Sequence, residues 1–323
     1  MLPNFIHAGV PKAASATFEA ILKAHPSIYT TRAKELDFFS NTTNFKKGLA
    51  WYEKTFFNDT GNATVVSDLS ICYTTGLAVD VPHRVYDSLG SDIRILFILR
   101  NPIDRAYSQY LMAKNKGQID RLPFNESISR ALSVKDSIQL KDIENVQNGG
   151  HYQGGKALDV FRYCMYLKTG LYAQTLESFF RYFDRKNILV LFTDDIQDDL
   201  KNQACKLFSF LGVDEIPVDN NLRRNESTTL KYPLLKRCAN VMYSSRSIRR
   251  LLTRLGPERR GNLKRLILSK NFKNNTSKPS MDHESRAKLR KFYQSDIKIL
   301  EGIVSRDLSM WINDPQPRPA KTH

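Results

Sequence analysis

The sequence lacks the features that mark several large classes of protein. No apolar run approaches the ~18–20 residues that a membrane-spanning helix requires. Only four residues precede the first apolar run, so we expect no signal peptide. The hydrophobic fraction of 41% and the charged fraction of 25% are typical of a globular protein and exclude disordered and fibrous chains. At 323 residues the chain is long enough for one large α/β domain or two small ones.

Cysteine is scarce, and its positions exclude two further classes. None of the four cysteines belongs to a CxxC pair, which argues against a disulfide framework and against a zinc site. Scattered single thiols instead predict a reducing, cytoplasmic location. Several Asn-x-Ser/Thr triplets, at Asn41, Asn62 and Asn225, would be glycosylation sites only in a secreted chain, and we interpret them as chance in an Asn-rich sequence. The cysteines are Cys72, Cys164, Cys205 and Cys238.

Acidic residues are scarce in only one part of the chain. Residues 1–222 hold 25 Lys/Arg and 25 Asp/Glu, whereas residues 223–323 hold 24 Lys/Arg and 8 Asp/Glu. The whole net charge of +16 therefore lies in the last third. This distribution excludes a uniformly basic, histone-like protein and predicts an anionic ligand, substrate or surface near the C-terminal region.

Short apolar runs alternate with helical patterns, which predicts an α/β fold with a central parallel sheet flanked by helices. The strongest strand is 93–99, whose nearly continuous apolar character is typical of a strand covered on both faces. The first helix would be capped by Ser15 and ended by His25-Pro26. Further strands are predicted at 5–10, 64–68 and 188–192, and further helices at 102–116, 171–183, 198–211 and 282–304.

Three regions fall outside this alternation, and we assign all but the last to one domain over residues 1–313. Residues 113–170 are polar and irregular, and the double-glycine stretch 149–155 is interpreted as either a surface linker or a substrate lid. Residues 234–280 are basic and helical in period, either a solvated amphipathic helix or a polyanion-binding surface. The Pro-rich tail 314–323 is predicted to be disordered.

The first stretch that carries chemistry joins the first strand to the first helix. A loop that ends at a helix N-terminus presents backbone N–H groups and a positive dipole end to an anion. Lys12 adds a full charge, and Ser15 and Thr17 add hydroxyl groups. The Walker pattern GxxxxGK[ST] is not met. The segment is thus either a phosphate-binding loop of another kind or a capped turn with a surface lysine.

Two further stretches place polar side chains near predicted element ends. Arg100 ends the strongest strand, where open α/β sheets place their ligand crevice, and Ser108 follows two helical turns later. Neighbouring Asp104 and Arg105 would form a surface ion pair. Glu35, followed by Leu36-Asp37-Phe38-Phe39, is either a half-buried base or part of a solvated charge run.

Taken in order, these stretches resemble the sulfotransferases that use 3′-phosphoadenosine 5′-phosphosulfate (PAPS), and the heparan-sulfate-type and bacterial members are the most similar. The motifs are GVPK with Ser15 and Thr17, then KELDFF, then ILRNP with Arg105 and Ser108. Later blocks, such as Gly170-Leu171-Tyr172 and the last helix, also resemble the family. The likeness spans most of residues 3–312 and thins at 113–165 and 215–275.

The resemblance implies a role for each matching position. It implies PAPS as co-substrate, no metal, and a P-loop-like strand-loop-helix that holds the phosphosulfate. Lys12 and Glu35 match the catalytic lysine and the general base, and Arg100 and Ser108 match the pair that binds the 3′-phosphate. A C-terminal loop at 273–278 would fold over that phosphate. The implied donor-binding residues are Lys12, Ala13, Ala14, Ser15, Ala16, Thr17, Arg100, Ser108 and Lys278.

The chain departs from the family pattern at two places. Ala14 stands where the family has a glycine, and Ala16 where it has a threonine. If position 14 requires a positive φ, the alanine there is strained. Leu69 replaces the lysine that assists catalysis in the animal glycan enzymes, which weakens the assignment of an acceptor.

We therefore expect an enzyme that transfers a sulfuryl group from PAPS to a hydroxyl or amine of a glycan or small metabolite, without a nucleic-acid partner. One alternative is a P-loop-type kinase or nucleotide hydrolase, in which Asp68 would bind Mg²⁺. The other is a non-catalytic polyanion-binding protein that uses the basic C-terminal third.

Overall fold

The computed structural model describes most of the chain, which divides into two units. The first unit comprises residues 1–224 and 281–323, and the second comprises residues 225–280. The described residues are 1–75, 79–117, 119–147, 154–219, 222, 228–230, 272–274 and 279–313.

A five-stranded sheet, parallel throughout, forms the centre of the first unit. The strand order is β2-β3-β1-β4-β5. This arrangement confirms the predicted α/β fold with a central parallel sheet. The strands are β1 (Phe5–Gly9), β2 (Ile28–Thr30), β3 (Val65–Asp68), β4 (Arg94–Leu99) and β5 (Ile188–Phe192).

Strand β4 shows why the apolar runs become interior strands. It pairs with β1 on one side and with β5 on the other. Its last five residues, 95–99, are at most 1% exposed, because both edges are bonded to neighbouring strands and both faces are covered. The polar backbone groups of a strand in this position are satisfied by the ladder, so the apolar side chains can be buried without leaving unpaired amides.

Helices connect the strands and flank the sheet. Short 3₁₀ turns at Ile71–Thr74, Lys135–Ser137, Lys168–Gly170 and Arg185–Asn187, and π-helical turns at Ala113–Gly117 and Tyr163–Leu167, join or extend them. The helices are α1 (Ser15–Ala24), α2 (Thr42–Phe45), α3 (Gly48–Phe56), α4 (Val81–Leu89), α5 (Pro102–Met112), α6 (Phe124–Val134), α7 (Leu140–Gln147), α8 (Gly155–Arg162), α9 (Tyr172–Phe180), α10 (Thr193–Asp198), α11 (Leu200–Leu211), α12 (His283–Val304) and α13 (Ser309–Ile312).

The prediction that residues 113–170 are irregular is wrong. This stretch contains α6, α7 and α8, and the interior face of α6 is formed by Phe124, Ile128 and Ala131, each at most 5% exposed. Apolar residues at i, i+4 and i+7 bury one stripe of a helix even where the intervening residues are polar. Residues 148–153, which include most of the proposed lid, lie outside the described residues.

The second unit is described at two short paired strands and at residues 279–280. Strand β6 (Thr228–Leu230) runs antiparallel to β7 (Phe272–Asn274), with Thr229 opposite Lys273. Most of the basic region 234–280, and the tail 314–323, lie outside the described residues. The domain bounds and the roles given to these regions stay predictions. Among the described helices, none has the length and apolar character to span a membrane.

Candidate active site

The carboxyl ends of β1, β3 and β4 lie side by side at one edge of the sheet. Strand β1 is central, and the chain continues to β2 and β3 on one side of it before crossing to β4 on the other. In open α/β sheets such a reversal leaves a crevice between the loops that leave adjacent strands. The predicted site residues follow these strand ends.

The loop after β1 has a strained backbone at two non-glycine residues. Lys12 has φ 74° and Ala14 has φ 56°, both in the left-handed region. The prediction that Ser15 caps α1 is wrong: Ala14 occupies the cap position, has no side-chain cap, and turns the chain into the helix through its left-handed conformation. The family has a glycine at this position. The alanine that replaces it here adopts the positive φ that the turn requires.

The first turn of α1 is left open to an anion. The N–H groups of Thr17 and Phe18 donate to the Ala14 carbonyl, so the helical ladder begins there. The N–H groups of Ser15 and Ala16 come before that ladder and point out of the helix end, as first-turn groups do. No acidic residue lies in this turn. Uncapped donors at the positive end of a helix suit a phosphate or sulfate group.

Arg100 is bonded directly to the loop. Its guanidinium Nη1 donates to the carbonyl oxygen of Lys12 at 3.1 Å, and its own carbonyl accepts from the Tyr172 hydroxyl at 2.8 Å. The structure thus joins the Arg100 side chain to the backbone of the loop at Lys12. Ser108 lies half-buried on α5, the helix that Asn101 caps at its first turn. Its pairing with Arg100 stays a prediction.

The expected surface pair of Asp104 and Arg105 is not formed. Arg105 is fully buried and donates to the carbonyls of Met165 and Tyr166. Asp104 pairs instead with Arg286 of α12 at 2.9 Å. Arg105 therefore ties α5 to the backbone that precedes α9, and the two neighbours have separate structural roles.

Glu35 is a half-buried carboxylate with one well-defined hydrogen bond. Its Oε2 accepts from the backbone N–H of Cys72 at 3.0 Å. Removal from water raises the pKa of Glu35 to about 7, although the hydrogen bonds from Cys72 act in the opposite direction. A carboxylate with a pKa near neutrality is a more effective proton acceptor than an exposed one.

Asp37 and Cys72 complete a small polar cluster with Glu35. The Cys72 thiol donates to Asp37 Oδ1 at 2.7 Å, and one ligand atom from each of the three residues lies within 4.8 Å of the others. Burial and then the adjacent carboxylates raise the pKa of the Cys72 thiol well above its usual value. Because a metal requires the thiolate, the cluster is better suited to hydrogen bonding than to metal binding.

Asp68 at the end of β3 is fully buried and fully occupied. The hydroxyls of Tyr52 and Tyr73 both donate to its Oδ2 at 2.6 Å, and the hydroxyl of Ser70 donates to its Oδ1. Burial raises the pKa of Asp68. A carboxylate with no exposure and three protein donors does not suit the Mg²⁺ site that the kinase or hydrolase alternative assigned to it.

The two predicted catalytic residues, Lys12 and Glu35, are linked through a close contact between the Thr74 side chain and the backbone of Gly9. Thr74 lies so near Gly9, the last residue of β1, that a Cβ added at Gly9 would be 2.5 Å from the Thr74 side chain. The turn that ends at Thr74 contains Cys72, which binds Glu35, and Lys12 follows Gly9 by three residues. The structure therefore places Glu35 and the loop of Lys12 at the same edge of the sheet.

Several residues at this edge were not predicted from sequence. Ser70 and Cys72 directly follow the predicted strand 64–68, so the rule that ligand crevices lie at carboxyl ends could have identified them. Tyr172 lies in a block that resembles the family, but its hydrogen bond to the Arg100 carbonyl, 72 residues away in sequence, has no local signal. Lys278, assigned to donor binding, lies outside the described residues.

Comparison with known proteins identifies matches in sequence and in fold. The model of one family, described as the sulfotransferase domain, matches residues 2–301. Heparan sulfate glucosamine 3-O-sulfotransferase 5 of Mus musculus is 33% identical over 156 residues, which cover 44% of this chain and 43% of that protein. Heparan sulfate glucosamine 3-O-sulfotransferase 6 of Homo sapiens is 23% identical over 235 residues, covering 73% of this chain and 59% of that protein.

Both matches leave much of the relatives outside the comparison, since the chain covers only 43% to 59% of their lengths. A sulfotransferase from Alicyclobacillus acidocaldarius, solved by crystallography, has the same fold with a TM-score of 0.64. It is 21% identical in sequence, and the match covers 97% of this chain and all of that one.

Proposed function

The chain belongs to the sulfotransferase family, and we propose that it transfers the sulfuryl group of PAPS to a hydroxyl or amine of a carbohydrate acceptor. The observation that supports the proposal is that Glu35 and the loop of Lys12 follow the same edge of the sheet, through the contact of Thr74 with Gly9 and the hydrogen bond of Cys72 to Glu35. A proton acceptor and an anion-binding loop at one edge are the two parts that sulfuryl transfer requires. The glycan acceptors named for the relatives support a carbohydrate as the acceptor class.

The donor side of the site fits a phosphosulfate on three counts. The first turn of α1 offers uncapped N–H groups and holds no acidic residue. Lys12 supplies a positive charge in the loop, and Arg100 supplies another that is tied to the loop through the Lys12 carbonyl. Ser108 on α5 and Lys278 are proposed to bind the 3′-phosphate with Arg100. Anions are thus balanced by side chains and backbone, and the proposal includes no metal.

The chemical step requires one bond to form and one to break. The acceptor oxygen or nitrogen forms a bond to sulfur while the bond from sulfur to the phosphate oxygen breaks, and adenosine 3′,5′-bisphosphate leaves. Glu35 takes the proton that the acceptor loses. Lys12 and the end of α1 stabilise the negative charge that grows on the departing oxygen. Most of the catalysis would come from positioning and electrostatics, as in phosphoryl transfer.

The basic C-terminal third supports an anionic carbohydrate as the acceptor. The net charge of +16 falls in residues 223–323, while residues 1–222 are neutral as a whole. An excess of one sign raises the local concentration of an oppositely charged substrate.

A cytoplasmic location, expected from the scattered cysteines, is also part of the proposal. Cys72, Cys164 and Cys205 are free thiols among the described residues.

The test is a transfer assay with labelled PAPS across glycans, phenols, amines and alcohols, read by mass spectrometry. The proposal expects a sulfated product from at least one glycan. In parallel, adenosine 3′,5′-bisphosphate should raise the unfolding temperature more than ATP with Mg²⁺, because ligands that bind the folded state stabilise it. Preferential stabilisation by ATP with Mg²⁺, or sulfation of no acceptor, would contradict the proposal.

A further inference from the structure

One short segment contacts Glu35 from two directions. We call Ser70–Thr74 the β3 turn, since it directly follows strand β3. Its Cys72 N–H donates to the Glu35 carboxylate at 3.0 Å. Its Ser70 hydroxyl oxygen accepts from the N–H of Leu36, the next residue along, at 2.9 Å. The turn therefore holds both the side chain of Glu35 and the backbone beside it.

The backbone held in this way is strained. Glu35 has φ 59° and Asp37 has φ 54°, so two non-glycine residues in the left-handed region flank Leu36. Such a conformation persists only where the surroundings over-determine it. Leu36 is 4% exposed and sits in the core, and its N–H group is bonded to Ser70. Without that bond, a buried donor between two strained residues would have no acceptor.

The direction of the Ser70 hydrogen bonds is fixed by Asp68. A hydroxyl carries one hydrogen, and that of Ser70 is given to Asp68 Oδ1. The oxygen of Ser70 is then left to accept, which is what the Leu36 N–H requires. Asp68 is itself held by Tyr52 and Tyr73, so the chain of bonds starts from a fully buried and rigid group.

We propose that Ser70 is a positioning residue for Glu35: it relays the fixed orientation of Asp68 to the backbone at Leu36 and so keeps the Glu35 carboxylate in its catalytic place. The inference rests on the proposed role of Glu35 as the base. Ser70 is fully buried and bonded on both sides within the protein, so its role is to position rather than to touch substrate.

The test compares Ser70→Ala with a matched control. Ser67→Ala removes another fully buried serine hydroxyl of β3, which donates to the Tyr29 carbonyl at 2.8 Å and is not part of the contacts at residues 35–37. Ser70→Ala should lower kcat by about 10- to 100-fold, the loss that follows from displacing a catalytic group by about 1 Å. The KM for PAPS should stay unchanged. Ser70→Thr, which keeps the hydroxyl, should recover most of the rate.

The control separates positioning from a general loss of stability. Unfolding midpoints are measured for all variants, and rates are compared well below them. Ser67→Ala should keep the wild-type kcat. If Ser67→Ala and Ser70→Ala lower kcat equally, or if Ser70→Ala keeps the full rate, the inference is wrong. Should Ser70→Ala fail to fold, Ser70→Cys keeps a weaker acceptor of similar size and should give a smaller fall in kcat.

A second readout does not depend on activity. The titration of the Glu35 carboxyl is followed by NMR of protein with ¹³C-labelled glutamate, with Glu35→Gln identifying the signal. In Ser70→Ala the carboxylate gains water, so its pKa should fall from about 7 toward the usual range. The charged and titratable groups around the Glu35 carboxylate are the same in the wild type and in Ser70→Ala. They are Asp37, Cys72 and Lys34. An unchanged titration would overturn the inference, whereas a wild-type chain that transfers no sulfuryl group would overturn only the proposed function.

Discussion

At the scale of single residues, the site depends on a carboxylate that is partly withdrawn from water. Burial raises the pKa of Glu35, so it is ionised less readily than an exposed glutamate, and the hydrogen bonds from the side chain and backbone of Cys72 limit that effect without cancelling it. Lys12 has the opposite task, since it supplies positive charge in a loop whose backbone is strained. The two residues differ in environment, which agrees with the roles proposed for them: Glu35 takes the proton and Lys12 stabilises the leaving group.

Lys12→Ala should lower the rate of sulfuryl transfer by about 10²–10³-fold, the effect of removing one group that stabilises charge in the transition state. The rate is measured with labelled PAPS under saturating donor. Lys23→Ala removes the same side chain from the exposed last turn of α1 and should leave the rate unchanged. A Lys12→Ala variant with the wild-type rate would remove this residue from the mechanism.

The free energy of unfolding of Glu35→Gln should increase relative to that of the wild type as the pH rises. The folded pKa of about 7 lies above that of an unfolded glutamate, so the wild type loses stability as the pH rises from about 4.5 to about 7. Because glutamine does not titrate, the variant does not lose stability over this pH range. Urea unfolding at pH 5 and pH 8 measures the difference between the two proteins.

The comparison with exposed Glu177→Gln controls for the change in net charge. Parallel stability curves for wild type and Glu35→Gln would show that the carboxylate is not held out of water.

Sequence predicted Lys12, Glu35 and Arg100 because each stands in a motif at the end of a strand or beside an aromatic pair. Ser70 follows the predicted strand 64–68, but no local pattern indicates its hydrogen bond to Leu36, 34 residues earlier in the chain. The prediction for Arg105 is wrong, because a charged residue beside an acidic one suggests a surface pair, whereas this arginine is buried against backbone carbonyls. Local sequence patterns carry no information on contacts between residues that are distant in the sequence.

At the scale of elements, the loop after β1 shows how a departure from the family pattern is accommodated. The chain turns into α1 through Ala14 in the left-handed conformation, where the family has a glycine. A non-glycine residue there costs roughly 1–2 kcal/mol. The alanine keeps the turn into the helix end that is proposed to bind an anion, and it does so at the expense of stability.

Ala14→Gly should therefore stabilise the protein by about 0.5–1 kcal/mol, after allowance for the greater freedom of glycine in the unfolded chain. Thermal unfolding measures the change. Ala20→Gly, in the middle of α1, should destabilise by a similar amount because glycine weakens a helix interior. If both substitutions destabilise the protein, the left-handed geometry of Ala14 is not a source of strain.

Four of the five strands of the parallel sheet were predictable, since β1, β3, β4 and β5 coincide with apolar runs to within one or two residues. Strand β2 was missed because a strand of three residues contains too few positions to show a pattern. The cap of α1 was assigned to Ser15 on residue type alone, and the positive φ of Ala14, which shifts the cap by one residue, cannot be read from an alanine.

At the scale of the whole molecule, charge and site are separated along the sequence. The residues proposed for catalysis lie in the neutral part of the chain, while the net charge of +16 falls after residue 222. Apart from Lys278, the basic region contributes nothing to the proposed donor site. Its proposed role is to attract an anionic acceptor, which is an electrostatic effect and should weaken with salt.

Retention on a polyanion column should fall with rising salt and should be weaker for Arg249→Ala combined with Arg250→Ala. Removing two charges from the basic region lowers its attraction for the matrix. Lys201→Ala combined with Lys206→Ala removes the same charge from exposed positions of α11. Equal loss of retention in the two double variants would show that net charge alone, and not the basic region, binds the polyanion.

The proposed mechanism requires Glu35 to act as a base beside a bound donor. The decisive measurement is the single-turnover rate of sulfuryl transfer from labelled PAPS to the preferred glycan, for the wild type and Glu35→Gln. Binding of adenosine 3′,5′-bisphosphate is measured by calorimetry on the same samples. We expect a rate at least about 10²-fold lower in the variant, with unchanged affinity for the nucleotide. A wild-type rate in Glu35→Gln, or loss of nucleotide binding together with the rate, would contradict the role of Glu35 as the base.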